Sequence, residues 1–408
     1  MTHSYKVPQH HHHHHHHEID AREPQQSSSP FHGFTLPSIL KRRWLFKSDD
    51  PNSLEHSPLL LPPPSFAKKY GSCQKILHYG TKSSVRLYAR TATPSCQFPT
   101  PRGHPQALQL HVVKIFRPSS NPSIVVAQRF EQALSSAISH PNVCLTRDVL
   151  LNERGEMCQV MEYYAGGDLS MLIATSPRRS LDSCAANCFF KQIIRAVAFL
   201  HEKGIAHCEL KPENVLLTPS GAVKLADFGS ARWLGAKTVI GSKEDERNEG
   251  EDDEDEADRT IRPSRSQSLT WSSSLLRAAR RPYYSPPRKV RGLIAYLPPE
   301  EFRPQSDMPD HRVGDLWAAG LTYMAMRCGR LLWRMACEDE DGGYRAYLHG
   351  RQQAEGFFPI EELGEVRCRN VVYAMLHPDP SRRIRAAEVL RSEWLHNVRV
   401  CEAGEMGL

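Results

Sequence analysis

Apolar and polar positions along the chain repeat with two different periods, and the change of period divides it in two. Runs at 74–77, 85–89, 108–116, 147–151 and 158–163 alternate or are β-rich, which predicts strands. The Pro- and Thr-rich stretch Thr91–Pro105 suits a long hairpin loop between the second and third of them. Within 123–139, Val126, Phe130 and Leu134 fall at helical spacing. After Gly166-Gly167 the helical period takes over. Asp182 is placed as N-cap for a helix over 183–201 carrying Phe189, Ile193, Val197 and Leu200, and Gly204 stops it. Helical spacing returns at 315–328, 366–375 and 385–390. Strands first and helices second predict an α+β, bilobal fold: a small antiparallel sheet with one helix, then a larger helical lobe, with a cleft between.

Two stretches carry no core periodicity. Residues 1–65 hold eight consecutive histidines (His10–His17), a tag-like tract, and then Gln-, Ser- and Pro-rich text. Residues 242–290 are charged and Ser/Arg/Pro-rich. Both are expected to be disordered, because they cannot bury enough apolar area to offset their ordering entropy. The expected folded domain is therefore 66–400, with an N-lobe at about 66–162 and a C-lobe at about 165–400, and 242–290 as an insertion.

Composition is that of a globular protein, with 40% hydrophobic and 24% charged residues. The net charge of +6 conceals a segregation. Glu244–Asp258 carries eleven acids against one arginine, and nine Lys or Arg without an acid follow between Arg259 and Arg291. That basic run, and Lys41-Arg42-Arg43 within 31–46, are candidates for an anionic membrane surface. Nucleic acid is not the expected partner, since only Trp271, Tyr283 and Tyr284 interleave the basic run and no nucleic-acid fold signature accompanies it. Eleven scattered cysteines without a C-x-x-C pair, a polar start and no apolar run longer than Leu316–Met326 predict a soluble cytoplasmic protein.

The chemistry concentrates in H-C-E-L-K-P-E-N at 207–214 and D-F-G at 227–229. Phosphoryl transfer needs carboxylate and amide oxygens on Mg²⁺, a cation on the phosphates, and a carboxylate to orient the acceptor. Glu209, Lys211, Asn214 and Asp227 provide those groups in one short stretch. The two motifs resemble the catalytic loop and metal-binding loop of protein kinases, where the first commonly reads H-R-D-L-K-P-E-N. The resemblance implies ATP and Mg²⁺ as cofactors and a Ser or Thr of a protein substrate as acceptor, with Asn214 and Asp227 on the metal.

The same resemblance extends over roughly 68–400. It implies that Lys114 of H-V-V-K is the phosphate-binding lysine and Glu131 on the next helix its partner, although Glu131 alone would read as a solvated helix position. M-E-Y-Y-A-G-G-D-L at 161–169 is similar to the hinge. Met161 would guard the back of the adenine pocket, the backbone of Glu162 to Tyr164 would meet the adenine edge, and Asp168 would lie near the ribose. Gly80 and Val85 would belong to the glycine-rich loop. Glu300 of L-P-P-E would pair with Arg383, and Asp315 would hold the catalytic-loop backbone. Lys211 implies the Ser/Thr branch. The strings K-Y-G-S-C-Q at 69–74, Y-M-A-M-R-C-G-R-L-L-W at 323–333 and E-W-L-H-N-V-R-V-C at 393–401 are similar to the fungal halotolerance and nitrogen-permease-reactivator kinases, which regulate plasma-membrane transporters.

Four positions depart from the pattern. Aligned on Val85, the three loop glycines become His78, Gly80 and Ser83. Glu209 replaces an aspartate, Cys208 an arginine, and Leu293 a hydroxyl-bearing residue. A catalytic group displaced by about 1 Å costs on the order of a hundredfold in rate. Slow transfer is therefore expected. A nucleotide-binding pseudokinase acting as scaffold is the alternative, and a basic module for membrane or nucleic acid is a third. Ser264 and Ser268, in R-x-S and R-S-x-S contexts, are candidate phosphorylation sites.

Overall fold

The computed structural model describes residues 65–91, 108–234, 294–303 and 310–408. The expectations for the tail 1–64, the hairpin loop after Thr91, the insertion 242–290 and Leu293 lie outside the described residues.

The first lobe is a five-stranded antiparallel sheet in the order β1-β2-β3-β5-β4. Its strands are β1 (Ser72–Tyr79), β2 (Ser83–Thr91), β3 (Leu108–Phe116), β4 (Thr146–Leu151) and β5 (Met157–Glu162). Register puts Val85 of β2 opposite Lys114 of β3, and Lys114 opposite Gln159 of β5. Strand alternation then decides which residues meet the cleft. Val113 and Ile115 are buried in a small core with Cys158, Val160, Phe66 and Tyr70, so Val112 and Lys114 take the other face. A short helix, α1 (Phe66–Tyr70), precedes the sheet, and Lys69 and the Tyr70 hydroxyl both reach Asp148, at 2.5 and 2.8 Å. Gly71 ends α1 at φ +79°, and a Cβ there would lie 1.9 Å from the Ala89 carbonyl oxygen, so glycine is required.

Helix α2 (Pro122–Ala137) packs beside β4 and brings Glu131 to Lys114. Asn121 caps it through Ser123 N, and Pro122 occupies the first turn, where its missing N–H costs nothing. Phe130 and Leu134 are buried as their spacing predicts, while Val126 is only partly so.

The second lobe is helical around one large core. After α3 (Leu169–Thr175), helix α4 (Ser183–Glu202) is capped by Asp182 as expected. Its buried face runs through Ala186, Phe190, Ile193, Val197 and Leu200. Phe190, rather than the expected Phe189, is the aromatic inside it: Phe190 stacks on Trp394 and tilts against Tyr323, and Phe189 only packs on the margin. Two pairs of short strands frame the loops that matter: β6 (Ile205–Ala206) with β9 (Arg232–Trp233), and β7 (Val215–Leu217) with β8 (Val223–Leu225). Helix α5 (His311–Cys328) starts one turn earlier than its apolar pattern shows, because Asp310 caps it. Helices α6 (Gly342–Gly350), α7 (Phe358–Glu361), α8 (Val366–Met375), α9 (Ala386–Arg391), α10 (Glu393–Asn397) and α11 (Glu402–Met406) follow. The packing continues past residue 400: Arg195 of α4 grips Glu405 of α11 with two hydrogen bonds, at 2.8 and 3.0 Å. No helix among the described residues is long and apolar enough to cross a membrane.

Candidate active site

Three elements that are remote in sequence meet at the cleft. Lys114 Nζ on β3 lies 2.5 Å from Glu131 Oε1 on α2 and 2.9 Å from Asp227 Oδ1 after β8. Burial opposes the Lys114 charge, but Asp227 and Glu131 override it and hold its pKa above the ordinary lysine range. Burial likewise pushes the Glu131 carboxyl up despite the lysine beside it. For Asp227, burial is outweighed by the Lys114 charge and hydrogen bond, so its carboxyl stays below the usual range. Asp227 adopts φ +64°, a left-handed conformation that an aspartate tolerates and that the neighbouring contacts fix.

The catalytic-loop backbone is held by Asp315, a carboxylate buried in α5. Its Oδ2 accepts from His207 N and contacts His201 Nε2, both at 2.8 Å, and its Oδ1 accepts from Cys208 N at 2.8 Å. These bonds secure Cys208 at φ +62°, a conformation costly for a residue with a Cβ. The His207 ring continues the scaffold: Nε2 meets Ala226 O at 3.1 Å, and Nδ1 accepts from Glu209 N at 3.2 Å. That pair of contacts selects the Nε2–H tautomer. His207 also packs at 5.2 Å against the Phe228 ring, which joins the two loops.

Glu209 is tied down at both ends. Its carbonyl accepts from Asn214 Nδ2 at 2.8 Å, its Oε1 from Lys211 Nζ at 2.7 Å, and its Oε2 from Ser230 Oγ at 2.6 Å. Because Nδ2 of Asn214 is spent on this bond, Oδ1 is the amide atom left for a cation. Asp227 uses Oδ1 on Lys114 and Gly229 N, leaving Oδ2. The Asp227 side chain is 42% exposed, while Asn214 is buried. Hard oxygen donors of this kind suit Mg²⁺, whose remaining positions are filled by water and phosphate. Among the described residues no cluster of three His, Cys, Asp or Glu forms an all-protein metal cage.

The loop between β1 and β2 turns at its single glycine. Gly80 N donates to Ser83 O at 2.9 Å, which closes a tight turn, and a Cβ on Gly80 would meet both His78 Nε2 and Ser83 O at 3.3 Å. Outside the turn, the Arg117 guanidinium sits 4.4 Å from the Tyr79 ring, and Arg117 N donates to Lys82 O at 2.9 Å. At the hinge, Met161 packs with Cys144, Tyr164, Ala226 and Leu216. The Glu162 carboxylate pairs with Arg147 at 2.7 Å and accepts from the Tyr164 hydroxyl at 3.1 Å. That hydroxyl in turn accepts from Leu145 N at 3.2 Å. Both hinge side chains are thus turned to bracing, and the Glu162 N–H is spent on Leu145 O at 3.2 Å. Asp168 caps α3 by accepting from Met171 N at 2.8 Å.

The expected pair farther down the lobe also forms. Arg383 Nη1 and Nη2 lie 2.7 and 2.9 Å from the two Glu300 oxygens, and Arg383 is buried against the Trp317 ring. Sequence reasoning missed Ser230. Its only signal was a hydroxyl directly after D-F-G, and its partner is 21 residues away.

Residues 105–244 match the family model described as "Protein kinase domain". The fold and this cleft together define a eukaryotic-type protein kinase domain. Within that class the chain resembles the fungal halotolerance kinases. It is 36% identical over 347 residues to serine/threonine-protein kinase hal4 of Schizosaccharomyces pombe, covering 84% of this chain and 46% of that protein. It is 35% identical over 345 residues to serine/threonine-protein kinase HAL4/SAT4 of Saccharomyces cerevisiae, covering 83% and 48%. Serine/threonine-protein kinase HAL5 of Candida glabrata is 25% identical over 381 residues, covering 82% and 41%. The chain thus spans less than half the length of these curated relatives.

Proposed function

We propose that the chain is an ATP-dependent protein serine/threonine kinase of low intrinsic rate, acting in intracellular signalling. The observation that carries this reading is the Lys114–Glu131–Asp227 network, which joins the two lobes beside Glu209 and Lys211. ATP with Mg²⁺ supplies the transferable γ-phosphoryl group and the divalent charge that screens it. Lys114, oriented by Glu131, would bind phosphate oxygens, and Asn214 with Asp227 would hold Mg²⁺. The hinge main chain from Glu162 to Tyr164 takes the adenine edge, with Met161 behind it, Val85 above and Asp168 toward the ribose. Lys211 neutralises charge on the group in flight. Glu209 orients the acceptor hydroxyl and receives its proton as the new O–P bond forms and ADP leaves.

Two features support a low rate. Glu209 is longer than the aspartate it replaces, and the phosphate loop keeps one glycine of three. The resemblance to the halotolerance kinases supports membrane transporters, or proteins that control them, as the substrate class. Transfer from labelled ATP to the chain itself and to a basic protein substrate tests the reading. Mg²⁺-dependent transfer that Lys114→Met abolishes is expected. Intact ATP binding without transfer in the wild type would replace it with a nucleotide-binding regulator.

A further inference from the structure

The substitution of glutamate for aspartate at position 209 lengthens the side chain by one methylene and adds a rotatable bond. Left alone, that bond would spread the carboxylate over several positions, and orienting an acceptor hydroxyl tolerates little spread. The carboxylate of Glu209 is not left alone. Each oxygen has its own donor, Lys211 Nζ at 2.7 Å on Oε1 and Ser230 Oγ at 2.6 Å on Oε2. Two donors on opposite oxygens fix the plane of a carboxylate as well as its place. Each oxygen accepts through two lone pairs, so one site on each remains for an acceptor hydroxyl.

Ser230 reaches this position because of the turn it sits in. Ala231 N donates to Phe228 O at 3.1 Å, closing Phe228–Ala231, and Gly229 N donates to Asp227 Oδ1 at 3.3 Å. The turn is therefore registered on the metal-binding aspartate, and through Phe228 on His207. His207 in turn accepts the Glu209 N–H. Backbone and side chain of Glu209 are thus referred to the same turn. A shorter aspartate would draw its carboxylate back by one carbon–carbon bond, away from the Ser230 hydroxyl.

We propose that Ser230 is the positioning residue that makes Glu209 usable as the acceptor-orienting carboxylate, so that the two form one functional unit with Lys211. The inference rests on the kinase reading and deepens it. It predicts coupling between positions 230 and 209. The two would not simply add, because the hydroxyl serves only the longer acid.

The experiment is a cycle of four proteins, wild type, Ser230→Ala, Glu209→Asp and the double variant, with Ser230→Thr as the conservative control. Steady-state transfer to a peptide is measured beside ATP binding and thermal melting. Ser230 is solvent-exposed, so all variants are expected to melt like the wild type. Ser230→Ala is expected to lower kcat on the order of tenfold with the KM for ATP unchanged. Ser230→Thr restores most of the rate, and Ser230→Ala has no further effect once residue 209 is aspartate. Equal losses from Ser230→Ala in both backgrounds, a loss confined to KM for ATP, or an unchanged or faster Ser230→Ala enzyme would each overturn the proposal and leave the kinase reading standing. No transfer by the wild type with ATP bound would overturn both.

Discussion

Lys114 and Asp227 are 113 residues apart in the chain and 2.9 Å apart in the fold, one on the sheet and one on the helical lobe. Together with Glu131 they form the contact on which the cleft's electrostatics turn. Removing the cation leaves two carboxylates facing one another, one of them buried. Lys114→Met is therefore expected to abolish phosphoryl transfer and to raise the pH at which Glu131 titrates. Nucleotide titration and a pH series on the variant check both.

Glu300 and Arg383 form a two-pronged pair, and the arginine side chain has no exposure. Breaking one partner of a buried pair costs about 3–5 kcal/mol, because the other charge is left uncompensated. Glu300→Gln and Arg383→Met should both lower the melting temperature by several degrees. The double variant should lose less than the sum of the two, which a thermal-shift cycle will show.

Cys208 stands at φ +62°, where glycine carries no steric cost. Its thiol is pushed up by burial and the neighbouring Asp315, so it is a poor nucleophile. Cys208→Gly is expected to preserve the fold and change stability by no more than about 1 kcal/mol, as urea melts will report. Asp315→Ala, in contrast, removes the acceptor of both loop N–H groups and should reduce transfer sharply.

Asp341 caps α6 by accepting from Gly343 N and Tyr344 N at 2.8 and 3.1 Å, and its other oxygen accepts from Arg334 N at 2.9 Å. Burial opposes the charge, but these backbone donors hold the carboxyl below its ordinary value. A depressed folded pKa stabilises above the unfolded value, and the gain is lost as pH falls through the folded one. Asp341→Asn turns an NH2 donor toward one of these N–H groups and should thus cost about 1 kcal/mol near neutrality and less in strong acid, as melting against pH will reveal.

Thiol labelling should follow burial. Cys144 and Cys158 are pushed up to about 12 by burial, and Cys368 to about 11. Cys73, Cys184 and Cys401 are exposed. Mass spectrometry after brief alkylation near pH 8 should find the exposed thiols modified first, and the buried ones only on unfolding.

The longer elements were legible because each buries one face. The third strand and the helix Val366–Met375 fall where their spacing places them. What escaped is physically of another kind. The strands Ile205–Ala206 and Arg232–Trp233 are two residues long, too short to show a period, and exist through pairing with each other. Helix Gly342–Gly350 opens on two glycines and forms because Asp341 caps it. Phe190 and Phe189 are neighbours, and only packing against Trp394 and Tyr323 decides which is inside. In the site, the Lys114–Glu131 pair and the Glu300–Arg383 pair could be read from motifs. The second donor on Glu209 could not, since it depends on the turn geometry at Phe228–Ala231.

The segment between residues 234 and 294 is bounded by two fixed points. Leu234 N donates to Gly204 O at 2.7 Å on one side, and Ile294–Tyr296 leads directly into the Glu300–Arg383 pair on the other. Both ends are thus anchored in the helical lobe by contacts of their own. In evolutionary terms this is a port: the cleft residues on either side keep their register through those anchors, whatever sequence joins them. The same position is where a reporter domain could be spliced into the chain.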